Sequence, residues 1–360
     1  MGFLYCQKYV VVDGGGTFRV SIQNMVKWRK DRECLGSKGR INMLKDYENN
    51  EQFEANVLLN DIDVRRTQQG KAYLNLLVSD RSMEISAKKW DVTDAEMKEF
   101  VAGEVIHIKA IRQTYKDQPQ LRVLEMRKTE PGEPNDPADF MQTAPVKKEG
   151  LEEEVSQIMF QITNATWQRV VRYLFKKYHE EFFSFPAAKS NHHAFKGGLA
   201  YHSLSIVHLA QAVTEQYENI NGSLLYAGGL LHDLGKVIEL TGPVATKYTT
   251  AGNLIGHITL IDEQIVLAAH ELKLDLNSED MLVLRHTVLA HHGQLDYGSP
   301  VRPQIKEANI LHQLDELDAN IQSFDQALAQ TEPGEFSSPQ FALDRRRVYR
   351  PRQENQPEDL

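Results

Sequence analysis

The sequence predicts a chain of mixed α and β class, a small five-stranded β-barrel followed by an all-α helical bundle. Three observations carry that expectation. Residues 52–128 hold five short runs in which apolar or β-branched residues alternate with polar ones. Residues 151–330 hold segments with apolar spacing of i, i+3, i+4. Between them, "TEPGEPNDPADFMQTAPVKKEG" (129–150) has four prolines and no periodic apolar pattern, as a linker does.

The five β runs are "FEANVLLNDIDV" (53–64), "KAYLNLLVSD" (71–80), "SMEISAKKWD" (82–91), "EVIHIKAIRQTY" (104–115) and "QPQLRVLEMRK" (118–128). "VTDAEMKEF" (92–100) is a short helical insert between the third and fourth, with Asp91 or Thr93 placed to cap it. Asp117-Gln118-Pro119 makes a tight turn between the last two. Five strands with a helix between the third and fourth is the layout of an OB-fold, a small Greek-key barrel that often binds single-stranded nucleic acid. Period-2 parity points Ala72, Leu74, Leu76 and Val78 inward, with Met83, Ile85 and Ala87 beside them. Tyr73, Lys88 and Trp90 fall on the opposite face, where they form a stacking and phosphate-contact surface; the competing role for Trp90 is to close the barrel end against the inserted helix.

The helical segments are 151–162, 166–183, 198–218, 222–236, 257–273, 279–292 and 304–329. The domains therefore read as 43–130 for the barrel, 131–150 for the Pro-rich linker, 151–330 for the helical domain and 331–360 for a basic C-terminal tail, polar and disordered from about 351. Residues 1–42, which hold both cysteines, read as an extension of unknown role, with Met43 resembling a normal start. Within it, "VVVDGGGTF" (10–18) matches the phosphate hairpin of actin-like sugar kinases, but nothing downstream supplies the rest of that fold, so the match reads as chance.

Composition sets limits. The 360 residues are 41% hydrophobic and 25% charged, enough for two globular domains. No apolar run is long enough to span a membrane, and the N-terminus lacks the pattern of a signal peptide. Two cysteines cannot make a disulfide framework, so the expected compartment is the cytoplasm. A net charge of −9 argues against indiscriminate nucleic-acid binding but not against a local basic groove. Basic clusters occur at 109–128 and in "DRRRVYRPR" (344–352), where Arg345 is the candidate strand contact.

The chemistry lies in the histidines. Twelve of the 13 are in the helical half. His202 follows "KGGLAY" on an apolar helix, His232-Asp233 interrupts "AGGLLHDLGKVIEL", His257 opens a helix after "GNLIG", His291-His292 end one in "LAHHG", and Asp315 lies in "ILHQLDELDAN". Imidazole and carboxylate suit divalent transition metals, and helices that bundle around one cleft bring such ligands together.

This order of motifs resembles the HD-domain metal-dependent phosphohydrolase superfamily. "GGLAYH", "LLYAGGLLHDLGKVIELTGP", "GNLIGHI", "LAHHG…YGSPVRP" and "ILHQLDELDA", preceded by an OB-like domain, resemble the bacterial YhaM-type 3′→5′ exoribonucleases over about residues 43–350. The resemblance implies an N-terminal five-stranded OB-fold β-barrel followed by an all-α HD-domain bundle. It implies that Asp233 bridges two divalent ions, that His202, His232 and Asp315 complete one, and that His257, His291 and His292 complete the other. Asp318 is the fallback for Asp315. The implied reaction is in-line hydrolysis of a terminal phosphodiester by water, with Lys236 on a phosphate oxygen; the bland reading of Lys236 is a surface lysine. Mn²⁺ is the expected ion, with Co²⁺, Fe²⁺ or another transition metal open. The expected substrate is single-stranded RNA, with single-stranded DNA open, degraded to nucleoside 5′-monophosphates; a homo-oligomer is also left open. His192 and His193 are candidate contacts to phosphate or ribose, while His179, His208, His270, His286 and His312 read as structural or surface residues. The alternatives are a phosphohydrolase or phosphodiesterase of small nucleotides and, from another class, a nucleic-acid adaptor with a structural metal.

Overall fold

The computed structural model describes residues 42–115, 118–189, 195–329 and 331–352. The glycine-rich 10–18 motif, both cysteines, His192 and His193 lie outside the described residues.

The β runs form strands β1 (Gln52–Arg66), β2 (Ala72–Ser79), β3 (Glu84–Trp90), β4 (Val105–Tyr115) and β5 (Gln118–Lys128). They close in the order β1-β2-β3-β5-β4. All pairings are antiparallel except β3 with β5, and bulges at Leu59/Asp61 and Lys109/Ala110 let the strands bend into closure. This is the N-terminal five-stranded barrel that the sequence predicts. Its interior is filled by alternate residues, among them Val57, Leu59, Leu74, Leu76, Val78, Ile85, Ala87, Ile106, Ile108 and Leu121. A one-residue slip would send this whole set to the surface, so the alternation fixes the register.

The insert is shorter than its sequence pattern: helix α1 covers Glu96–Glu99. Thr93, not Asp91, supplies the cap: its hydroxyl accepts from the Glu96 amide at 3.3 Å and the Glu96 carboxylate accepts from the Thr93 amide at 2.8 Å. The side chain that meets α1 is Lys89, whose Nζ lies 3.3 Å from Glu96 Oε1. Trp90 is 40% exposed and stacks on Tyr73 instead.

The helical part comprises α2 (Lys148–Gln161), α3 (Ala165–Lys177), α4 (His179–Ser184), α5 (Gly198–Gln216), α6 (Gly222–Leu231), α7 (Lys236–Glu239), α8 (Thr250–Ile255), α9 (His257–Glu271), α10 (Glu279–Leu289) and α11 (Lys306–Ala329). Two expected helices are broken. The one over 166–183 turns at Tyr178, and the one over 222–236 ends at Leu231. No periodic run announces α8. It is six residues long, and Thr249 caps it by accepting from the Gly252 amide at 2.9 Å.

The linker is packed rather than free. Met141 joins Leu58 and Val105 of the barrel in a small apolar cluster that also takes Phe140 and Val244. The Lys196 amide donates to Gln142 O and the Ala144 amide to Lys196 O, both at 3.0 Å. Residues 331–352 also fold back: Leu343 and Val348 bury against Ala327 of α11, and bridges join Phe336 to Tyr349 and Gln340 to Arg346. Arg350 donates to Leu328 O and Thr331 O at the end of α11, so this arginine is spent on structure. Among the described residues no helix is long and apolar enough to cross a membrane.

Candidate metal centre

The helices bring seven widely spaced residues to one place. His202 comes from the first half of α5 and Asp315 from the middle of α11. His232 is the C-cap residue of α6, and Asp233 stands in the turn before α7. His257 is the first residue of α9, and His291 and His292 follow the end of α10. Gly235 permits the closest chain approach: a Cβ there would sit 2.2 Å from the His257 carbonyl oxygen. Only a residue without a side chain lets the start of α9 lie this near the His232-Asp233 turn.

The donor atoms sort into two groups, His202, His232 and Asp315 in one and His257, His291 and His292 in the other, each within 4.8 Å of one another. In the first, His202 Nε2 lies 3.2 Å from His232 Nε2 and 3.1 Å from Asp315 Oδ1. Asp233 stands between the groups. Its Oδ2 is 3.5 Å from both His202 Nε2 and His232 Nε2. Its Oδ1 is 3.4 Å from His257 Nε2 and 3.9 Å from His291 Nε2. One carboxylate thus gives one oxygen to each side.

A second layer fixes which ring nitrogen each histidine presents. Nδ1 of His232 donates to Gly229 O at 2.9 Å, that of His291 to Val288 O at 2.7 Å, and that of His292 to Tyr297 O at 2.6 Å. Nδ1 of His202 faces Asp318 Oδ2 at 2.8 Å and that of His257 faces Glu239 Oε1 at 3.1 Å. Every Nε2 is left to the centre, the arrangement that orients histidines toward a metal. Asp318 therefore stands behind His202 while Asp315 stands among the donors. Glu239 also accepts from the His257 amide at 3.0 Å. Sequence reasoning missed its part, since 18 residues separate it from His257; its nearness to the His-Asp pair was the one available hint.

The electrostatics follow from burial and crowding. Burial pulls His202 down, but Asp315 and Asp318 push it up to about 10. Burial lowers His232 and holds His291 well below the usual imidazole value, with His292 adding to the latter. Burial also lowers His292, helped by His257. Asp233, which burial alone would raise, is held well below the carboxylate range by Lys236 and the histidines. Lys236 Nζ lies 2.7 Å from Asp233 Oδ2, so the lysine faces the centre and is not a free surface group.

These residues fit divalent ions on a test independent of the motif. Asp233 Oδ1, His257 Nε2 and His291 Nε2 are buried without a hydrogen-bond partner. Each such atom costs about 1–3 kcal/mol. The three converge, and their chemistry is that of a transition-metal donor set.

The other candidates stand elsewhere. Tyr73 and Trp90 face each other across β2 and β3, with ring centroids 4.6 Å apart. Lys88 Nζ lies 5.9 Å from each of these rings and 5.1 Å from that of Tyr115, an aromatic that the strand reading did not single out. Arg345 is exposed in the turn between Gln340 and Arg346. His312 donates from Nδ1 to His291 O at 3.0 Å and His286 Nε2 accepts from the Gln304 amide at 2.9 Å, so both serve the fold.

Comparison with known proteins gives the following similarities. A family model described as "HD domain" matches residues 199–320, and one described as "Putative helicase" matches residues 135–240. Two curated relatives, the 3′-5′ exoribonucleases YhaM of Listeria welshimeri and Listeria innocua, are each 42% identical over 308 residues, covering 86% of this chain and 98% of theirs. Among solved structures, the second OB-fold domain of replication protein A from Methanococcus maripaludis covers 26% of this chain and 98% of its own, at 11% identity and a TM-score of 0.22. A replication protein A heterotrimer bound to single-stranded DNA covers 24% and 64%, at 16% identity and a TM-score of 0.19. With scores this low, the barrel assignment rests on its own strand order.

Proposed function

The chain belongs to the YhaM family of 3′-5′ exoribonucleases, and from that premise we propose that it shortens single-stranded RNA from the 3′ end at a two-ion centre. The products would be nucleoside 5′-monophosphates. Single-stranded DNA is a second substrate of the same chemistry, and the working compartment would be the cytoplasm. The observation that carries the two-ion reading is Asp233, whose two oxygens face the two donor groups.

His202, His232 and Asp315 would hold one ion, His257, His291 and His292 the other, with Asp233 shared between them. When bound, the two divalent ions supply positive charge at the reacting phosphate and make water a stronger nucleophile. Mixed imidazole and carboxylate donors with no thiolate suit Mn²⁺, Fe²⁺, Co²⁺ or another transition metal, and Mn²⁺ is our first choice among them. Lys236 is placed to neutralise charge that develops on a non-bridging phosphate oxygen. Asp318 and Glu239 hold His202 and His257 in the tautomer that offers Nε2. Asp315→Asn should therefore lose one bound ion per chain, whereas Asp318→Asn should keep both with affinity lowered about 10–100-fold, as read by metal analysis and calorimetry.

On the barrel, Tyr73, Trp90 and Lys88 would take the strand by base stacking and phosphate contact, with Arg345 as a further contact. Trp90→Ala should weaken single-strand binding by about 1–3 kcal/mol and leave the rate of hydrolysis at saturating strand intact. Anisotropy with a labelled oligonucleotide reads the first effect and product chromatography the second.

The reading as a whole is tested by one digestion. A 5′-labelled single strand with Mn²⁺ should give a ladder that shortens from the 3′ end, while a 3′-blocked copy stays intact. Hydrolysis of free nucleotides with the strand untouched would overturn it.

A further inference from the structure

The loop that carries His292 also carries an exposed aromatic ring that the two-ion reading leaves unused. After His292 the chain makes a short turn, Leu295–Tyr297, closed by Gly298 at φ +95°. The turn is tied to the centre at two points: Tyr297 O accepts from His292 Nδ1 at 2.6 Å, and Ser299 Oγ, itself buried, accepts from the His292 amide at 3.1 Å. Tyr297 is thus bonded through its own backbone to a residue of the second donor group. Yet its side chain is not packed: Tyr297 is 64% exposed and Leu295 63%. A second exposed apolar pair, Leu254 at 79% and Ile255 at 50%, ends α8 just before Gly256 and His257. Gly298, next to Tyr297, lies against the start of α9, where a Cβ at Gly298 would be 3.9 Å from Ile258 Cδ1. Apolar side chains just before His257 and just after His292 in the chain are thus left in water, the latter on a turn whose backbone is tied to His292.

Solvent-exposed apolar groups beside a phosphate-handling centre fit a ligand that is both charged and flat. A 3′-terminal nucleotide has that form, with a phosphate for the centre and a base that must rest nearby. We infer that Tyr297, with Leu295 beside it, is the platform on which the 3′-terminal base of the strand stacks. This rests on the exonuclease reading and deepens it. Stacking on one ring tolerates any base, since every base has a π-face, and a processive digestion of mixed sequence requires that tolerance. Tyr297 is then a substrate-binding residue distinct from the barrel face of Tyr73 and Trp90, because it meets only the nucleotide about to be removed.

The test crosses a protein change with a substrate change in the full chain. Tyr297→Ala should raise KM for a natural 3′ end about tenfold with kcat held, since stacking is made before and during reaction alike. Tyr297→Phe should restore it. Wild-type protein acting on a strand with an abasic 3′-terminal residue should show a similar loss, and Tyr297→Ala should add nothing further on that strand. Bound-metal content should match wild type, because the carbonyl that holds His292 is backbone. Equal losses on natural and abasic ends, or a lost ion, overturn the inference by placing the effect in His292. A change in oligomeric state by sedimentation, with KM on natural ends unmoved, overturns it in favour of a contact between copies. Wild-type protein that digests no strand at all sinks the exonuclease reading itself, whereas failure of the cross on an active wild type sinks this inference alone.

Discussion

Asp233→Asn is expected to lower hydrolysis of a single strand by about 10³-fold or more while the protein stays folded and still binds the strand. Asparagine keeps the shape of the side chain but offers one oxygen where aspartate offers two. The native oxygens face different donor groups, at 3.5 Å from His202 and His232 and at 3.4 Å from His257. The amide nitrogen cannot ligate a cation, so one group loses its link to the other. Lys236 also loses its charge partner at 2.7 Å. The proposed strand-binding face is on the barrel, which has its own core, so anisotropy should change little. Circular dichroism guards against misfolding. Turnover within tenfold of wild type would remove Asp233 from the chemistry.

Chelation should have the second large effect. Treatment with EDTA is expected to abolish digestion, and readdition of Mn²⁺ to restore it. The metal-free protein should also melt earlier, on the order of 5 °C below the protein with ion at 100 times its Kd, a concentration worth about 2.7 kcal/mol. The reason is local: removal leaves Asp233 Oδ1, His257 Nε2 and His291 Nε2 buried with nothing to bond. The pH dependence has a definite sign. An ion must displace the proton on His202 Nε2, and with Asp315 and Asp318 holding that group up to about 10, the competition spans the neutral range. Affinity for metal should rise as pH increases from 6 to 9, by calorimetry in matched buffers. Affinity that is flat or falls over that interval would contradict the assignment of His202.

Much of this is legible in the sequence alone. Strand parity named the barrel interior, because a period of two leaves no choice once one face is buried. The order of His202, His232-Asp233, His257, His291-His292 and Asp315 pointed to one centre. What the pattern hid has physical causes. The helix expected over 222–236 breaks after Leu231, yet His232 and Gly235 keep right-handed helical dihedrals. The backbone stays in the same region while the hydrogen-bond ladder changes, so the apolar spacing runs on through Leu234 and Val237. Asp315 and Asp318 were hard to separate because three helical residues leave them on one face; only the position of the His202 ring tells front from back. Residues 331–352 read as a tail because arginine dominates them, whereas Leu343, Val348 and Arg350 fasten the segment to α11.

That folded C-terminal segment and the packed linker have a joint consequence. Gln118, at the start of β5, donates to Ser338 Oγ at 3.0 Å, and Met141 packs Leu58 and Val105 of the barrel against Val244. A barrel tethered by a loose string would follow the strand inward as it shortened. This one is strapped twice, so the separation between Trp90 and Asp233 becomes a ruler. A fragment shorter than that ruler can reach Trp90 or the centre but not both, and it leaves before it is consumed. The enzyme should therefore stop at a characteristic length set by its architecture and indifferent to the sequence it is eating.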